Sequence, residues 1–151
     1  MDNTPKVLFL CTGNSSRSQM AEGFVRHFAG DNIIAVSAGI EPVPINPMTV
    51  EVMNEIGIDI SDQHAKDVAS ILKEHFAYVV GVCDMAIERC PIFPFAFKLR
   101  KWSIEAPSSA TGSREQRLAV FRRVRDQIEQ NVRDLLVEIS NDLKLTLVET
   151  P

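Results

Sequence analysis

Cys11 and Arg17 lie six positions apart, with Thr12, Gly13, Asn14, Ser15 and Ser16 between them and Ser18 immediately after. These residue types at this spacing suit one kind of chemistry, the attack of a sulfur nucleophile on a tetrahedral oxyanion. Only a thiolate attacks, so the surroundings must favour a charged sulfur. A guanidinium grips two oxygens of a phosphate-like ion in its planar fork. Ser18 offers the sulfur a hydroxyl donor. Gly13 lets the backbone turn sharply, and Asn14 suits a left-handed loop position. The candidate catalytic groups are therefore Cys11, Arg17 and Ser18. The candidate oxyanion ligands are Thr12, Gly13, Asn14, Ser15, Ser16 and Arg17. A Cys-x5-Arg spacing alone is common and fits a buried cysteine with a surface arginine equally well, so the flanking elements matter.

Before the loop comes a short apolar run, Lys6-Val-Leu-Phe-Leu10, which reads as a buried strand. After it, Met20, Phe24 and Phe28 recur at helical spacing. The loop thus joins a strand to a helix, and its far end is a helix N-terminus with unpaired N–H groups and positive partial charge. Further along, residues 33–37 read as a second strand and 38–45 as a proline-bearing loop. Asn46 and Pro47 make an N-cap followed by a first-turn proline. Val50, Met53 and Ile56 are expected on that helix's buried face, with Gly57 at its end.

Ser61 is read as a cap, residues 67–73 as a helix and 78–83 as the third strand. Residues 84–95, with Pro91 and Pro94, read as irregular, and 97–102 as a fourth strand near an edge. Leu118, Phe121, Val124, Ile128, Val132, Leu135 and Ile139 step by three or four through a long helix over 114–139, whose arginines read as its solvated face. Residues 141–151 are a tail, either a loose terminus or an added strand. Alternating strands and helices imply an α/β fold, an open and mostly parallel sheet with ligands beyond the strand C-termini. Cys11 and Cys83 both fall at such ends and are expected on one rim.

The chain has 151 residues, is 45% hydrophobic and carries a formal charge of -4, which suits one domain with a real core. A mildly acidic chain is a poor nucleic-acid surface, and no apolar run is long enough to span a bilayer. The N-terminus lacks the basic-then-apolar order of a signal peptide, so a cytoplasmic location is expected. Three cysteines are too few for a disulfide scaffold and leave buried fillers, metal ligands or redox thiols. Their spacing is unlike zinc motifs, and His27, His64 and His75 show no ligand pattern, so no metal is expected.

Leu10-Cys-Thr-Gly-Asn-Ser-Ser-Arg-Ser-Gln-Met-Ala-Glu22 resembles the phosphate loop of the low-molecular-weight protein tyrosine phosphatase superfamily. Its Ser-Gln-Met-Ala-Glu ending is most similar to the arsenate reductase branch. The likeness continues through Ser37-Ala-Gly39, residues 57–61, Cys83, Cys90, Pro91, Trp102, Pro107 and residues 121–126, nearly the whole chain. It implies a single domain over 1–151, a three-layer sandwich whose four-stranded parallel sheet has order 2-1-3-4 and helices on both faces.

The resemblance also implies an arsenate reductase with a three-cysteine relay. Cys11 attacks arsenate, Cys83 attacks the Cys11 sulfur as arsenite leaves, and Cys90 then attacks Cys83. The resulting disulfide is reduced by thioredoxin, with a glutaredoxin or mycothiol-type donor also open. Ile92, Phe93 and Phe95 are candidates for the reductant's docking surface. No tightly bound cofactor is implied; the partners are arsenate, phosphate and sulfate as competing oxyanions, and thioredoxin. A monomer is expected, with no membrane or nucleic-acid partner. Two other readings stand beside this one, a low-molecular-weight phosphatase and a non-catalytic oxyanion-binding or redox-sensing relative. Cys83 and Cys90 as inert core residues is the plainer account of that pair.

Three positions depart from the family pattern. Several relatives carry cysteine where this chain has Ser16. The family's general acid is the Asp of an Asp-Pro pair, where this chain has Ala106 and Pro107. Glu105 either substitutes in part or is a solvated loop charge. Asn14, Glu22 and Ser37 match a potassium site of some relatives, but the expected acidic position is Lys66, whose ammonium can take the same pocket. No bound cation is expected.

Overall fold

The structure, a computed structural model, describes residues 4–82 and 96–143. Four parallel strands form its centre: β1 (Lys6–Cys11), β2 (Ile34–Gly39), β3 (Phe76–Gly81) and β4 (Ala96–Lys101), in the order β2-β1-β3-β4. Parallel neighbours need crossovers, and the helices α1 (Arg17–Ala29), α2 (Pro47–Asn54) and α3 (Arg114–Leu143) occur between or after the strands. β1 is covered on both faces, which explains its unbroken apolar run. Val7 and Phe9 face Met20 and Phe24 of α1 and Phe121, Val124 and Ile128 of α3 in the larger core. Leu8 and Leu10 face Val68 and Ile71 in the smaller one. The sheet order and α/β class agree with the sequence expectation, and β4 lies at the edge as anticipated.

The heptad-like run in α3 is buried at all seven expected positions. A capping box starts this helix: the Gln116 N–H donates to Ser113 Oγ at 3.1 Å, and the Ser113 N–H to Gln116 Oε1 at 2.8 Å. The Asn46 side chain caps α2 by accepting from the Met48 N–H at 2.9 Å, with Pro47 opening the first turn.

Other expectations need correction. Residues 67–73 form only one 3-10 turn, Val68–Ile71, capped by Asp67. Asp67 is held beside Gly39 by a parallel bridge and β3 begins at Phe76, which leaves no room for a longer helix. The buried face of α2 is Thr49, Val52 and Met53, whereas Val50 is partly buried and Ile56 is 38% exposed. The helix stops at Asn54, and a turn through Gly57 (φ +81°) brings the Ile58 N–H to Met53 O, turning Ile56 outward. Ser61 is not itself the cap; its N–H donates to Asp59 Oδ1. The second and third strands run at 34–39 and 76–81 rather than 33–37 and 78–83.

Not every α3 arginine is solvated. Arg125 is only 9% exposed, because its guanidinium crosses to α2 and donates to Val52 O and Glu55 Oε1, each at 2.9 Å. Cys83, Cys90, Ile92, Phe93, Phe95 and the tail beyond 143 lie outside the described residues. Among the described residues no helix is long and apolar enough to cross a membrane.

Candidate active site

Cys11 is the last residue of β1, and α1 begins at Arg17, so residues 12–16 are the strand-to-helix loop. The loop's carbonyls are all engaged on its outer side. Cys11 O, Thr12 O and Gly13 O accept from the N–H groups of Ile40, Glu41 and Val43 at 3.3, 2.8 and 2.9 Å. Ser15 O accepts from the Asn46 N–H at 3.1 Å, and Asn14 O from the Gln19 side chain at 3.0 Å. In a trans peptide the next N–H points opposite to the carbonyl. Carbonyls held outward therefore turn successive N–H groups inward, forming an anion nest at the α1 N-terminus.

The close fit depends on Gly39. A Cβ there would stand 2.9 Å from both Thr12 O and Asn14 Cβ. Asn14 adopts φ +52°, the left-handed conformation anticipated for it, and is fully buried. Its N–H donates to Cys11 Sγ at 3.0 Å, and its side-chain amide donates to Ser18 Oγ at 2.8 Å. With its oxygen occupied by that donor, the Ser18 hydroxyl is free to direct its hydrogen at Cys11 Sγ, 2.9 Å away. Two donors thus converge on the sulfur, the arrangement a thiolate needs. Ser16 is buried and its Oγ accepts from the Thr49 hydroxyl at 2.8 Å, tying the loop to α2.

Arg17 is half-buried, and its Nη1 donates to Ile104 O at 2.9 Å, bridging to the loop beyond β4. Cys11, Asn14 and Ser18 therefore meet at the sulfur, while Arg17 opens α1 and reaches Ile104 O. The protein family described as low molecular weight phosphotyrosine protein phosphatase matches residues 6–145. The chain belongs to this family. The arsenate reductase of Shouchella clausii is 44% identical over 127 residues, covering 84% of this chain and 91% of that protein. A solved arsenate reductase in the phosphate-binding state superposes with a TM-score of 0.79 at 33% identity, over 90% of this chain and 99% of the other. A thioredoxin-dependent arsenate reductase from Corynebacterium glutamicum has a TM-score of 0.74 at 26% identity, over 92% of this chain and 63% of that one.

Ala106, the position at which the resemblance implies the family's acid, precedes the turn Pro107–Ser109. Glu105 is half exposed, and its carboxylate accepts from Arg123 Nε and Nη2 at 3.0 and 2.8 Å. The side chain therefore already has a cationic partner on α3.

Asn14, Glu22, Ser37 and Lys66 also come together. Buried Glu22 accepts from Ser37 Oγ at 2.7 Å and pairs with Arg26 at 2.9 Å, with Lys66 Nζ 3.8 Å away. The Lys66 N–H donates to Asn14 Oδ1 at 2.8 Å. Burial lowers the Lys66 ammonium below the usual lysine value, and the Glu22 charge opposes that shift. Among the described residues no cluster of three or more His, Cys, Asp and Glu side chains could hold a metal ion.

Sequence reasoning missed Gly39, Thr49, Gln19 and Gln63 as parts of this site. Gln19 is fully buried and reaches both Asn14 O and His64 O. Gln19 shares its side of α1 with Glu22 and Arg26 at helical spacing, so no pattern set it apart. Gln63 sits among polar neighbours and gave no signal.

Proposed function

We infer that the protein is an arsenate reductase, taking the oxyanion into the nest of residues 12–17 with Cys11 as nucleophile. The observation that carries this reading is the pair of donors on Cys11 Sγ at the floor of a loop whose carbonyls are held outward. Arg17 supplies the planar fork for two oxygens of the bound ion. Phosphate and sulfate compete for the same nest, having the same tetrahedral shape.

Reduction requires two electrons, and thiols supply them. The Cys11 thiolate attacks As(V) and a protonated oxygen leaves as water, forming a sulfur–arsenic bond. The Cys83 thiolate then attacks the Cys11 sulfur; the sulfur–arsenic bond breaks, its electron pair stays on arsenic, and arsenite departs. The Cys11–Cys83 disulfide is passed on when Cys90 attacks Cys83, which returns Cys11 as thiolate. A dithiol protein of the thioredoxin type reduces the Cys83–Cys90 disulfide. Arsenate brings its own exchangeable hydroxyl as leaving group, so water can deliver the proton that the family's missing Asp would have given. Such a cycle belongs in a reducing compartment, where a monomer with its reductant suffices.

The test is arsenate-dependent NADPH consumption with thioredoxin and thioredoxin reductase. The wild type should turn over, and Cys11→Ser, Cys83→Ser and Cys90→Ser should each fall to background, a loss of more than about 10³-fold. Full activity of Cys83→Ser or Cys90→Ser would remove the relay while leaving the oxyanion site intact. Steady aryl-phosphate hydrolysis by the Cys83→Ser, Cys90→Ser double variant, without arsenate turnover in the wild type, would favour a phosphatase instead.

A further inference from the structure

Two glutamines lie against the outer side of the nest, and the sulfur-to-sulfur chemistry uses neither. Gln19 is fully buried on α1, and Gln63 is 8% exposed on the segment facing it. A buried primary amide is costly unless its donors and acceptor are met. Here they are met by one another and by the loop. Gln63 Nε2 donates to Gln19 Oε1 at 2.8 Å and to Gln19 O at 3.0 Å. Gln19 Nε2 donates to Asn14 O and His64 O, both at 3.0 Å.

This arrangement allows only one sense. Carbonyl oxygens accept and cannot donate, so Gln19 must turn its nitrogen toward Asn14 and His64. Its oxygen is then left facing Gln63, which must answer with a nitrogen. That nitrogen is also the group required by the Gln19 carbonyl. The two side chains therefore fix one another's direction.

The end of the chain of bonds is Asn14, the residue with φ +52°. With its carbonyl held outward by Gln19, the trans peptide turns the Ser15 N–H toward the nest. The same residue presents its own N–H to Cys11 Sγ and its amide to Ser18 Oγ. A rotation of the peptide between residues 14 and 15 would turn the Ser15 N–H away from the bound ion, whereas the N–H on Cys11 Sγ belongs to the preceding peptide and stays in place.

We propose that Gln63 and Gln19 are positioning residues for oxyanion binding: Gln63 sets the direction of the Gln19 amide, and Gln19 holds the Asn14 carbonyl outward so that the following N–H faces the bound ion. Gln63 touches neither the sulfur nor the ion and acts wholly through Gln19 and Asn14. The kinetic arm of the test rests on the arsenate-reducing reading above, whereas the phosphate-binding arm does not.

The experiment compares Gln63→Met, Gln63→Glu, Gln19→Met and the Gln19→Met, Gln63→Met double variant with the wild type. Gln63→Glu keeps the shape but has no amide donor, which guards against a result that reflects packing alone. KM for arsenate and the Kd for inorganic phosphate, measured by calorimetry, should rise together by about tenfold in each single variant. kcat should change by less than about threefold, since the nucleophile and Arg17 are untouched. The double variant should be no worse than either single one, because the second change breaks a chain already broken. Val132→Ala, a core substitution in α3, is the control for lowered stability; it should leave KM and the phosphate Kd unchanged. Unchanged KM and Kd in folded Gln63→Glu, or additive losses in the double variant, would overturn the proposal. If the wild type shows no arsenate turnover but phosphate binding weakens as stated, the reductase reading fails and the positioning role stands.

Discussion

On one side of Cys11, the loop of residues 12–18 is fastened by buried polar groups: Asn14, Ser16, Ser18 and Gln19 are all 4% exposed or less, and each makes hydrogen bonds. On the other side, the stretch 103–110 carries half-exposed Glu105, paired with exposed Arg123, and the apolar Ala106. Arg17 spans the two through Ile104 O. Buried hydrogen bonds hold a fixed geometry, whereas exposed ion pairs contribute little and yield readily to solvent. In the proposed reaction, recognition of the ion therefore falls to the ends of the sheet, and proton handling to the surface. That division suits a substrate whose leaving group needs little help.

The largest effect should come from the residue that joins the two sides. Arg17→Lys replaces a planar fork with a point charge, and kcat/KM for arsenate should fall by about 10³-fold. A loss under tenfold would mean that the backbone nest alone holds the ion. The next test reverses the asymmetry. Ala106→Asp should raise hydrolysis of p-nitrophenyl phosphate by about 10²-fold, the usual worth of a general acid. Glu105→Gln should change arsenate turnover by less than about twofold and leave its pH profile in place. A strong Glu105→Gln defect would show that the surface side carries chemistry after all.

Gly39→Ala probes the closeness of the fastened side. The added methyl meets Thr12 O and Asn14 Cβ, so about 2 kcal/mol of stability should be lost, read by urea unfolding. The smallest effect concerns the link between α2 and α3. The hydrogen bond from Arg122 holds the Glu55 carboxyl below its usual value, burial opposes this, and the charges of Arg122 and Arg125 reinforce it. A carboxyl depressed in the folded state adds stability above its unfolded value of 4.5, and that contribution disappears as pH falls through the lower folded value. Glu55→Gln should lower Tm by about 2 °C at pH 7, and the difference should shrink as pH falls below 4.5.

What could be read from the sequence was periodic or local. The α3 stripe from Leu118 to Ile139, the apolar run of β1, the Asn46-Pro47 start and the left-handed Asn14 all announce themselves within a few residues. The Gln63–Gln19 and Lys66–Asn14 bonds join residues 44 and 52 positions apart and leave no periodic trace. The misplacement of Ile56 on the buried face of α2, where Met53 is correctly buried, has a similar cause. Which side of a short helix is buried depends on the partner it meets, and Ile56 falls just past the point where the helix has ended. The 3-10 turn after Asp67 carries the capping signal of a helix, but the next strand cuts it short.

The place of Cys11 on a strand paired on both sides has one more consequence. Its backbone pairs with Gly39 of β2 and follows directly on Leu10, which pairs with Gly81 of β3, and the residue is only 2% exposed. The thiol is thus sieved by molecular size: compact ions of a few heavy atoms can reach it end-on, while bulky low-molecular-weight disulfides are kept at a distance. Protection from bulky disulfide oxidants, not from small ones, comes with the location itself.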